Sequence, residues 1–251
     1  ASSLYTMSAR VYEGDLADMD NAIRHYRTVL SIDAQALHAA ESLERIFHGA
    51  ERYEELSQIL QQKADILDDP NDKKTALFAA ASLEEDILGR HDAAIAVYNR
   101  VLELDNEDLR AIDALIKLYL NLSRWTDLLG VYSRKADLVG DPDEKKGIYY
   151  QIGAVYEREL QDVARAIDTY QRVLELDPVD LQALGRLDIL YQTAQNWAEL
   201  LSVLQQESEL ANDPMEGISY QYRIAELYEK RLDDTARAIE LYRDLLAQMP
   251  D

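Results

Sequence analysis

The sequence predicts an all-α solenoid, a stack of about seven helical hairpins. The main observation is a 72-residue period: Tyr26, Tyr98, Tyr170 and Tyr242 lie 72 residues apart. Within each period apolar residues recur every three or four positions, as on one face of a helix. Sustained alternation and Asn-Gly or Asp-Gly turns, the usual signs of β-hairpins, are absent. A fixed period of this kind is typical of proteins built by stacking one supersecondary unit.

Each period contains two hairpins, and the odd-numbered one is clearest at 147–177. Apolar residues mark its first helix at Ile148, Ile152, Val155 and Tyr156. Those of its second helix are Ala166, Ile167, Tyr170, Val173 and Leu174. Asp177-Pro178 should end that helix, because proline disfavours helical geometry in the residue before it.

The even-numbered hairpin follows at 181–210. Its first helix carries Leu184, Leu187, Leu190 and Tyr191, and its second carries Trp197, Leu200, Leu201 and Leu204. Asp213-Pro214 closes the unit, and its counterparts Asp69-Pro70 and Asp141-Pro142 lie at the same 72-residue interval. These Asp-Pro pairs are interpreted as helix breaks and caps rather than as metal ligands.

The predicted hairpins occupy about 1–33, 34–70, 72–105, 106–142, 143–177, 178–214 and 215–251. One such hairpin buries too little apolar surface to fold alone, whereas stacked hairpins share a continuous core. No Ser/Gly/Pro-rich linker interrupts residues 1–251, so we expect a single solenoid domain. The first residue is not methionine, and we expect the chain to be a fragment of a longer array.

Composition limits the classes of partner. The chain has 26 Lys and Arg against 48 Asp and Glu, a net charge of −22. A phosphate backbone would be repelled, so nucleic acid is not an expected partner. A basic protein surface is favoured, although the charge would also serve to keep an elongated surface soluble.

The same sequence shows no signal-peptide pattern, no cysteine and no apolar run near the ~18 residues of a membrane span. These features predict a cytoplasmic protein without membrane insertion, unless a targeting segment precedes the fragment.

Several positions match a known repeat pattern at a constant phase. In the fifth hairpin these are Ile152-Gly153, Tyr156, Ala166, Tyr170, Val173 and Pro178. The seventh hairpin has Leu227-Tyr228, Ala238, Tyr242, Leu245 and Pro250. The chain thereby resembles the tetratricopeptide repeat family, whose unit is a helix-turn-helix of ~34 residues. The resemblance implies a right-handed superhelix.

The departures from that pattern predict local irregularity. The odd hairpins carry one extra residue between the first-helix tyrosine and the following alanine, and Glu84 replaces that tyrosine in the third hairpin. In the even hairpins larger residues stand where the family has small ones: Glu44, Ile116, Asp188, Leu56, Leu128 and Leu200. We expect these residues to push paired helices apart. The repeated aromatics, Trp125 and Trp197 included, should pack between helices with their polar tips at the edge.

The resemblance also implies a binding surface, because in the family the first helix of each hairpin lines the concave face. The partner-binding candidates are first-helix residues that do not face the core: Phe78, Tyr150, Tyr222, Arg158, Glu157, Glu226, Arg110, Lys117, Asn121, Gln182 and Gln192. Phe78, Tyr150 and Tyr222 would anchor a partner segment, since rigid aromatics often dominate interfaces. The alternative is that these rings only close gaps between hairpins. Glu157 and Glu226 disfavour a guest carboxylate and favour a guest that carries Lys or Arg.

Catalytic and metal-binding patterns are not found in the sequence. No Gly-x-Ser-x-Gly elbow, Gly-rich phosphate loop or His-x-x-x-His pair is present. We therefore expect no cofactor, no metal and no enzymatic activity. The predicted function is a non-catalytic protein-interaction scaffold that binds a partner segment on the concave face. The alternatives are a self-associating structural spacer and a recruiting arm for an enzyme outside this fragment.

Overall fold

A computed structural model describes residues 1–248, and these residues form fourteen α-helices and no strand. The helices are α1 (Ser2–Gly14), α2 (Met19–Ile32), α3 (Leu37–Gly49), α4 (Tyr53–Ile66), α5 (Pro70–Ser82), α6 (His91–Leu104), α7 (Leu109–Asn121), α8 (Trp125–Leu138), α9 (Pro142–Ala154), α10 (Val163–Leu176), α11 (Leu181–Ala194), α12 (Trp197–Leu210), α13 (Pro214–Lys230) and α14 (Thr235–Gln248). The prediction of an all-α array of helical hairpins is confirmed.

The helices fall in pairs close to the predicted hairpin bounds, except that α5, α9 and α13 begin at residues 70, 142 and 214, where the predicted hairpins begin at 72, 143 and 215. Consecutive helices of a unit pack on each other. The chain divides into two compact units, Ala1–Arg124 with α1 to α7 and a second that begins at Trp125 with α8 to α14. The predicted hairpin 106–142 thus supplies α7 to the first unit and α8 to the second. A single solenoid domain remains a prediction, and Pro250 lies outside the described residues.

Aspartate caps fix where several helices begin. Asp69, Asp141 and Asp213 are the N-caps of α5, α9 and α13, and each accepts hydrogen bonds from backbone N–H groups of the first turn. The proline that follows each of them occupies the first turn, where a missing N–H costs nothing. The Asp-Pro pairs are therefore caps, as predicted, but each one starts the following helix rather than closing the preceding unit.

The extra residue of the odd hairpins is accommodated at the end of the first helix. After α5 and α9 the chain forms π-helical turns, Leu83–Ile87 and Val155–Glu159. Both kinds of hairpin have a backbone bond to the residue five positions earlier, but each odd hairpin adds one to the residue six positions earlier, at the carbonyls of Tyr12, Glu84, Tyr156 and Tyr228. This added bond encloses two residues more than an α-helical bond. The longer turn predicted from the sequence is thus built into the helix end.

Each turn inside a described hairpin contains one residue with positive φ. These residues repeat at 72-residue intervals in two series: Ala17, Gly89, Gln161 and Asp233 in the odd hairpins, and Glu51, Ser123 and Gln195 in the even ones. Only one of the seven is glycine, the residue that adopts this conformation without steric cost.

The core is periodic as well. Ala22, Ala94, Ala166 and Ala238 are at most 1% exposed, which lets the second helix of each odd hairpin approach closely. A side chain on Gly153 would meet the ring of Tyr170, because a Cβ placed there lies 2.7 Å from the tyrosine Cζ. The small residue in α9 therefore sets the distance between α9 and α10.

Candidate functional site

The first helices of neighbouring hairpins lie side by side within each unit. In the first unit Lys117 of α7 pairs with Glu85, in the turn after α5, at 2.7 Å. In the second, Arg223 of α13 binds Asp188 of α11 through two hydrogen bonds of 2.7 and 2.6 Å. We call the exposed side of these helices the first-helix face; it comprises α1, α3, α5 and α7 in the first unit and α9, α11 and α13 in the second.

A tyrosine–glutamate hydrogen bond recurs in every odd hairpin. Tyr26, Tyr98, Tyr170 and Tyr242 donate to the glutamate thirteen residues earlier, Glu13, Glu85, Glu157 and Glu229, at 3.0, 3.2, 3.0 and 2.9 Å. Burial and the neighbouring carboxylate raise the pKa of Tyr98, Tyr170 and Tyr242 to about 12. These rings pack between helices with the hydroxyl at the edge, which confirms that prediction for the tyrosines.

The same glutamates also reach the next hairpin. Glu13 pairs with Arg45, Glu85 with Lys117, and Glu157 with Arg186. Each carboxylate thus joins its own hairpin to the following first helix. Glu157, a predicted partner-binding residue, therefore already has two partners within the chain.

A lysine on α9 bridges two aspartates at the start of the next hairpin. Lys146 contacts Asp177 at 2.9 Å and Asp180 at 3.1 Å, and Lys74 of α5 makes the equivalent contacts 72 residues earlier. Burial opposes ionisation of Asp180, but hydrogen bonds from Tyr150, the Ala183 backbone N–H and Lys146 outweigh it and hold the pKa of Asp180 below 3.8.

The three predicted aromatic anchors differ in their contacts with the following hairpin. The Arg110 guanidinium lies 4.3 Å from the centroid of the Phe78 ring, and the Tyr150 hydroxyl donates to Asp180 at 2.5 Å. Tyr222 is 51% exposed, and its ring lies 5.8 Å from that of Tyr242. Phe78 and Tyr150 thus pack against the following hairpin, whereas Tyr222 presents its ring to solvent.

The remaining candidates divide in the same way. Lys117 and Glu226 make ion pairs within the chain, with Glu85 and Lys230. Asn121 of α7 and Gln182 and Gln192 of α11 are exposed, and so is Arg158 in the π-helical turn after α9. The structure groups Phe78, Arg110, Lys117 and Asn121 in the first unit, and Tyr150, Glu157, Arg158, Gln182, Gln192, Tyr222 and Glu226 in the second.

The first unit contains a cleft that sequence reasoning missed. This α3–α5 cleft has a volume of about 860 Å³, and its walls come from α3, α4 and the end of α5. Its apolar lining is formed by Leu56 and Leu60 of α4 and by Ala79, Leu83 and Ile87. Ile87 is 52% exposed although its side chain is large and apolar.

A second cleft stands at the same place two periods later. This α11–α13 cleft is lined by the residues 144 positions further on, among them Leu200, Leu204, Leu227 and Arg223, but its volume is about 190 Å³. Arg223 stands where the first cleft has Ala79, and Arg231 stands where it has Ile87. The Arg231 guanidinium lies 4.8 Å from the centroid of the Trp197 ring. The two arginines thus occupy the space that the α3–α5 cleft leaves open.

One sequence signal pointed toward these clefts. Glu44 and Leu56 are larger than the residues of the family pattern, and both line the α3–α5 cleft. A second signal in the sequence is the shared register of Ala79 and Arg223, the residues that distinguish the two clefts.

The described residues were also compared with the requirements of a metal site and of a membrane span. Residues 1–248 contain no group of three or more His, Cys, Asp or Glu side chains able to hold a metal ion. None of their helices combines the length and apolarity that crossing a bilayer requires.

The fold and the periodic contacts define a helical-hairpin repeat protein. Models of the tetratricopeptide repeat match residues 2–35, 75–108, 147–180 and 219–251, more than half of the chain. The chain belongs to the tetratricopeptide repeat family. All four matched segments are odd hairpins, the ones in which the sequence follows the family pattern most closely.

The chain is also similar to several solved structures. The structure of Naa15/Naa10 bound to HypK-THB matches with a TM-score of 0.51 at 14% identity, covering 100% of this chain and 37% of that one. YrrB, described as a TPR protein with an unusual peptide-binding site, matches with a TM-score of 0.39 at 20% identity over 70% of this chain and 86% of its own. Pseudomonas aeruginosa pilF matches with a TM-score of 0.38 at 16% identity, over 86% and 92% of the two chains. No curated protein was found to match the sequence.

Proposed function

We propose that this chain is a non-catalytic protein-interaction scaffold that binds a segment of a partner protein on its first-helix face. The family supports an interaction scaffold. The observation that carries the choice of face is the set of exposed side chains on the first helices, such as Gln182, Gln192 and the half-exposed ring of Tyr222. Exposed amides and aromatic rings supply hydrogen bonds and contact area to an extended or helical guest. We further propose that the protein acts in the cytoplasm.

The guest that fits this face carries lysine or arginine. Carboxylates such as Glu226 and Glu229 lie along α13, and the chain as a whole has a net charge of −22. Opposite charge on the partner would speed association and select against acidic competitors. Recruitment to an enzyme outside these 251 residues would use the same face.

The test is affinity capture from cell extract with paired variants. Gln182→Arg with Gln192→Arg places two cations on the first-helix face of α11. Gln62→Arg with Gln205→Arg adds the same charge to exposed positions of the second helices α4 and α12. We expect the first pair to lose the captured partners and the second pair to retain them. Equal capture by both variants would contradict binding on the first-helix face.

Self-association is a second candidate because large apolar side chains are exposed on α1 and α14. Leu4 and Met7 are 73% and 63% exposed, and Leu246 is 74% exposed, whereas its counterpart Leu102 is 8% exposed. Sedimentation-velocity runs at increasing concentration would separate the two cases. A concentration-dependent mass that Leu246→Glu abolishes supports self-association, and a constant monomer mass excludes it.

A further inference from the structure

The α3–α5 and α11–α13 clefts lie at equivalent positions of the repeat, so their lining residues can be compared one by one. In the α11–α13 cleft Arg223 crosses from α13 and binds the Asp188 carboxylate through both of its terminal nitrogens. In the α3–α5 cleft the counterpart of Asp188 is Glu44, and Lys63 of α4 pairs with it at 2.7 Å. The Glu44 carboxylate is thus paired with a lysine of α4 and not with a residue of α5. Because the Ala79 side chain is short, the space that Arg223 fills in the α11–α13 cleft stays open in the α3–α5 cleft.

What remains in the α3–α5 cleft is an apolar floor. Leu56 and Leu60 are 3% and 5% exposed at its base, while Leu83 and Ile87 form the wall on the side of α5. A volume of about 860 Å³ lies within the ~300–1,000 Å³ typical of ligand-binding clefts. An apolar guest side chain gains free energy there because it removes its own surface and that of Ile87, which is 52% exposed, from water.

Two carboxylates on the rim of the cleft form no ion pair among the described residues. Arg45 and Lys63, the cations that line the cleft, are already paired with Glu13 and Glu44. Glu41 on α3 and Asp86 on the opposite wall have no cation within ion-pair distance among the described residues; Asp86 accepts only the Ser82 hydroxyl, at 2.9 Å. Two carboxylates facing each other across an apolar floor favour a guest with cations on both sides of an apolar residue.

We infer that the α3–α5 cleft binds a segment of another protein that inserts one large aliphatic or aromatic side chain and carries lysine or arginine on either side of it. This inference rests on the proposed function and specifies the site and the chemistry of its guest. A second copy of this chain is a poor guest, because two molecules with a net charge of −22 repel each other.

The critical variant gives the open α3–α5 cleft the arginine that fills the α11–α13 cleft. Ala79→Arg places an arginine where α13 has Arg223, within reach of Glu44, and fills the space from a position that is exposed on α5. Ala96→Arg adds the same charge at an exposed position of α6, away from the cleft, and serves as the matched control. Ile87→Ser removes part of the apolar wall without adding charge.

The probe is a phage-displayed library of random 12-residue peptides, selected on the 251-residue chain and counter-selected on Ala79→Arg. Peptides that survive are synthesised with fluorescein and titrated by fluorescence anisotropy. We expect them to share a Leu, Ile, Phe or Met flanked by Lys or Arg. The Kd should rise at least tenfold for Ala79→Arg and for Ile87→Ser, and stay within twofold for Ala96→Arg. Glu41→Gln with Asp86→Asn should raise it at least fivefold at low salt.

Three results would overturn the inference: no peptide survives counter-selection, the survivors lack flanking cations, or Ala79→Arg binds them as tightly as the wild type. Affinity capture from cell extract distinguishes an error in the cleft inference from an error in the proposed function. If Ala79→Arg retains partners that Gln182→Arg with Gln192→Arg loses, the first-helix face binds and the cleft inference is wrong. If neither variant loses partners, both proposals are wrong.

Discussion

The buried carboxyl of Glu207 gives the sharpest prediction about stability. Glu207 lies on α12, is 3% exposed, and its Oε2 atom has no hydrogen-bond partner among the described residues. Burial, and then repulsion from Asp188, raise the pKa of Glu207 from 4.5 to about 7; Arg223 opposes the shift, and Glu216 adds a smaller repulsion. Glu207→Gln keeps the shape of the side chain and removes its charge.

The direction of the effect follows from the raised pKa. Below pH 4.5 the carboxyl is protonated in both the folded and the unfolded chain, so ionisation has no effect on stability. Between pH 4.5 and about 7 the unfolded chain loses this proton and the folded chain keeps it, so folding becomes less favourable as the pH rises. Above pH 7 the loss is complete and amounts to about 3 kcal/mol, since one pKa unit corresponds to ~1.4 kcal/mol.

The assay is urea unfolding followed by tryptophan fluorescence from pH 4.5 to pH 8.5. Trp197 lies on the same helix as Glu207 and reports on its unfolding. We expect Glu207→Gln to match the wild type at pH 4.5 and to be about 3 kcal/mol more stable above pH 7. Glu209→Gln, at an exposed position of the same helix, is the control and should show no such rise. A Glu207→Gln difference that does not change with pH would refute the reasoning.

Further predictions concern the turns, the helix spacing and the lysine bridge. Ala17→Gly should stabilise the protein by about 1 kcal/mol and Gly89→Ala should destabilise it by a similar amount, because both positions have positive φ. Denaturant titration measures both changes in unfolding free energy, and changes of the opposite sign would contradict the prediction. In the same titration Gly153→Ala should destabilise the protein by about 1–3 kcal/mol, because the added methyl group clashes with the buried Tyr170 ring. Gly147→Ala is the control: a Cβ there has no atom within 4 Å and should stabilise the helix slightly. Equal effects of the two substitutions would contradict the prediction. Lys146→Met should lower the Tm at pH 7. Calorimetry should show the difference narrowing as the pH falls below 3.8, because Asp180 becomes protonated; a difference independent of pH would count against the bridge.

Features that depend on period alone could be predicted from the sequence. The spacing of Tyr26 and its three counterparts predicted rings that pack between helices, and the Asp-Pro pairs predicted a helix break and a cap, which the structure places just before α5, α9 and α13. Both predictions succeed because a repeated residue in a repeated unit meets the same neighbours each time.

Features that depend on a difference between periods could not be predicted in this way. Ala79 and Arg223 occupy the same register, and only the structure shows that one leaves a cleft open while the other fills it. The extra residue of the odd hairpins was located in the turn, but its accommodation by a π-helical turn requires backbone hydrogen bonds that side-chain patterns do not reveal. Binding by Phe78 and its counterparts stays a prediction.

The central claim is that the 72-residue sequence period is also a period of the structure. A crystal structure tests this most directly through the four tyrosine–glutamate contacts, from Tyr26–Glu13 to Tyr242–Glu229. The account predicts an Oη–Oε distance near 3 Å in every odd hairpin, in line with the present range of 2.9 to 3.2 Å. Tyrosines that point in different directions from one period to the next would contradict it.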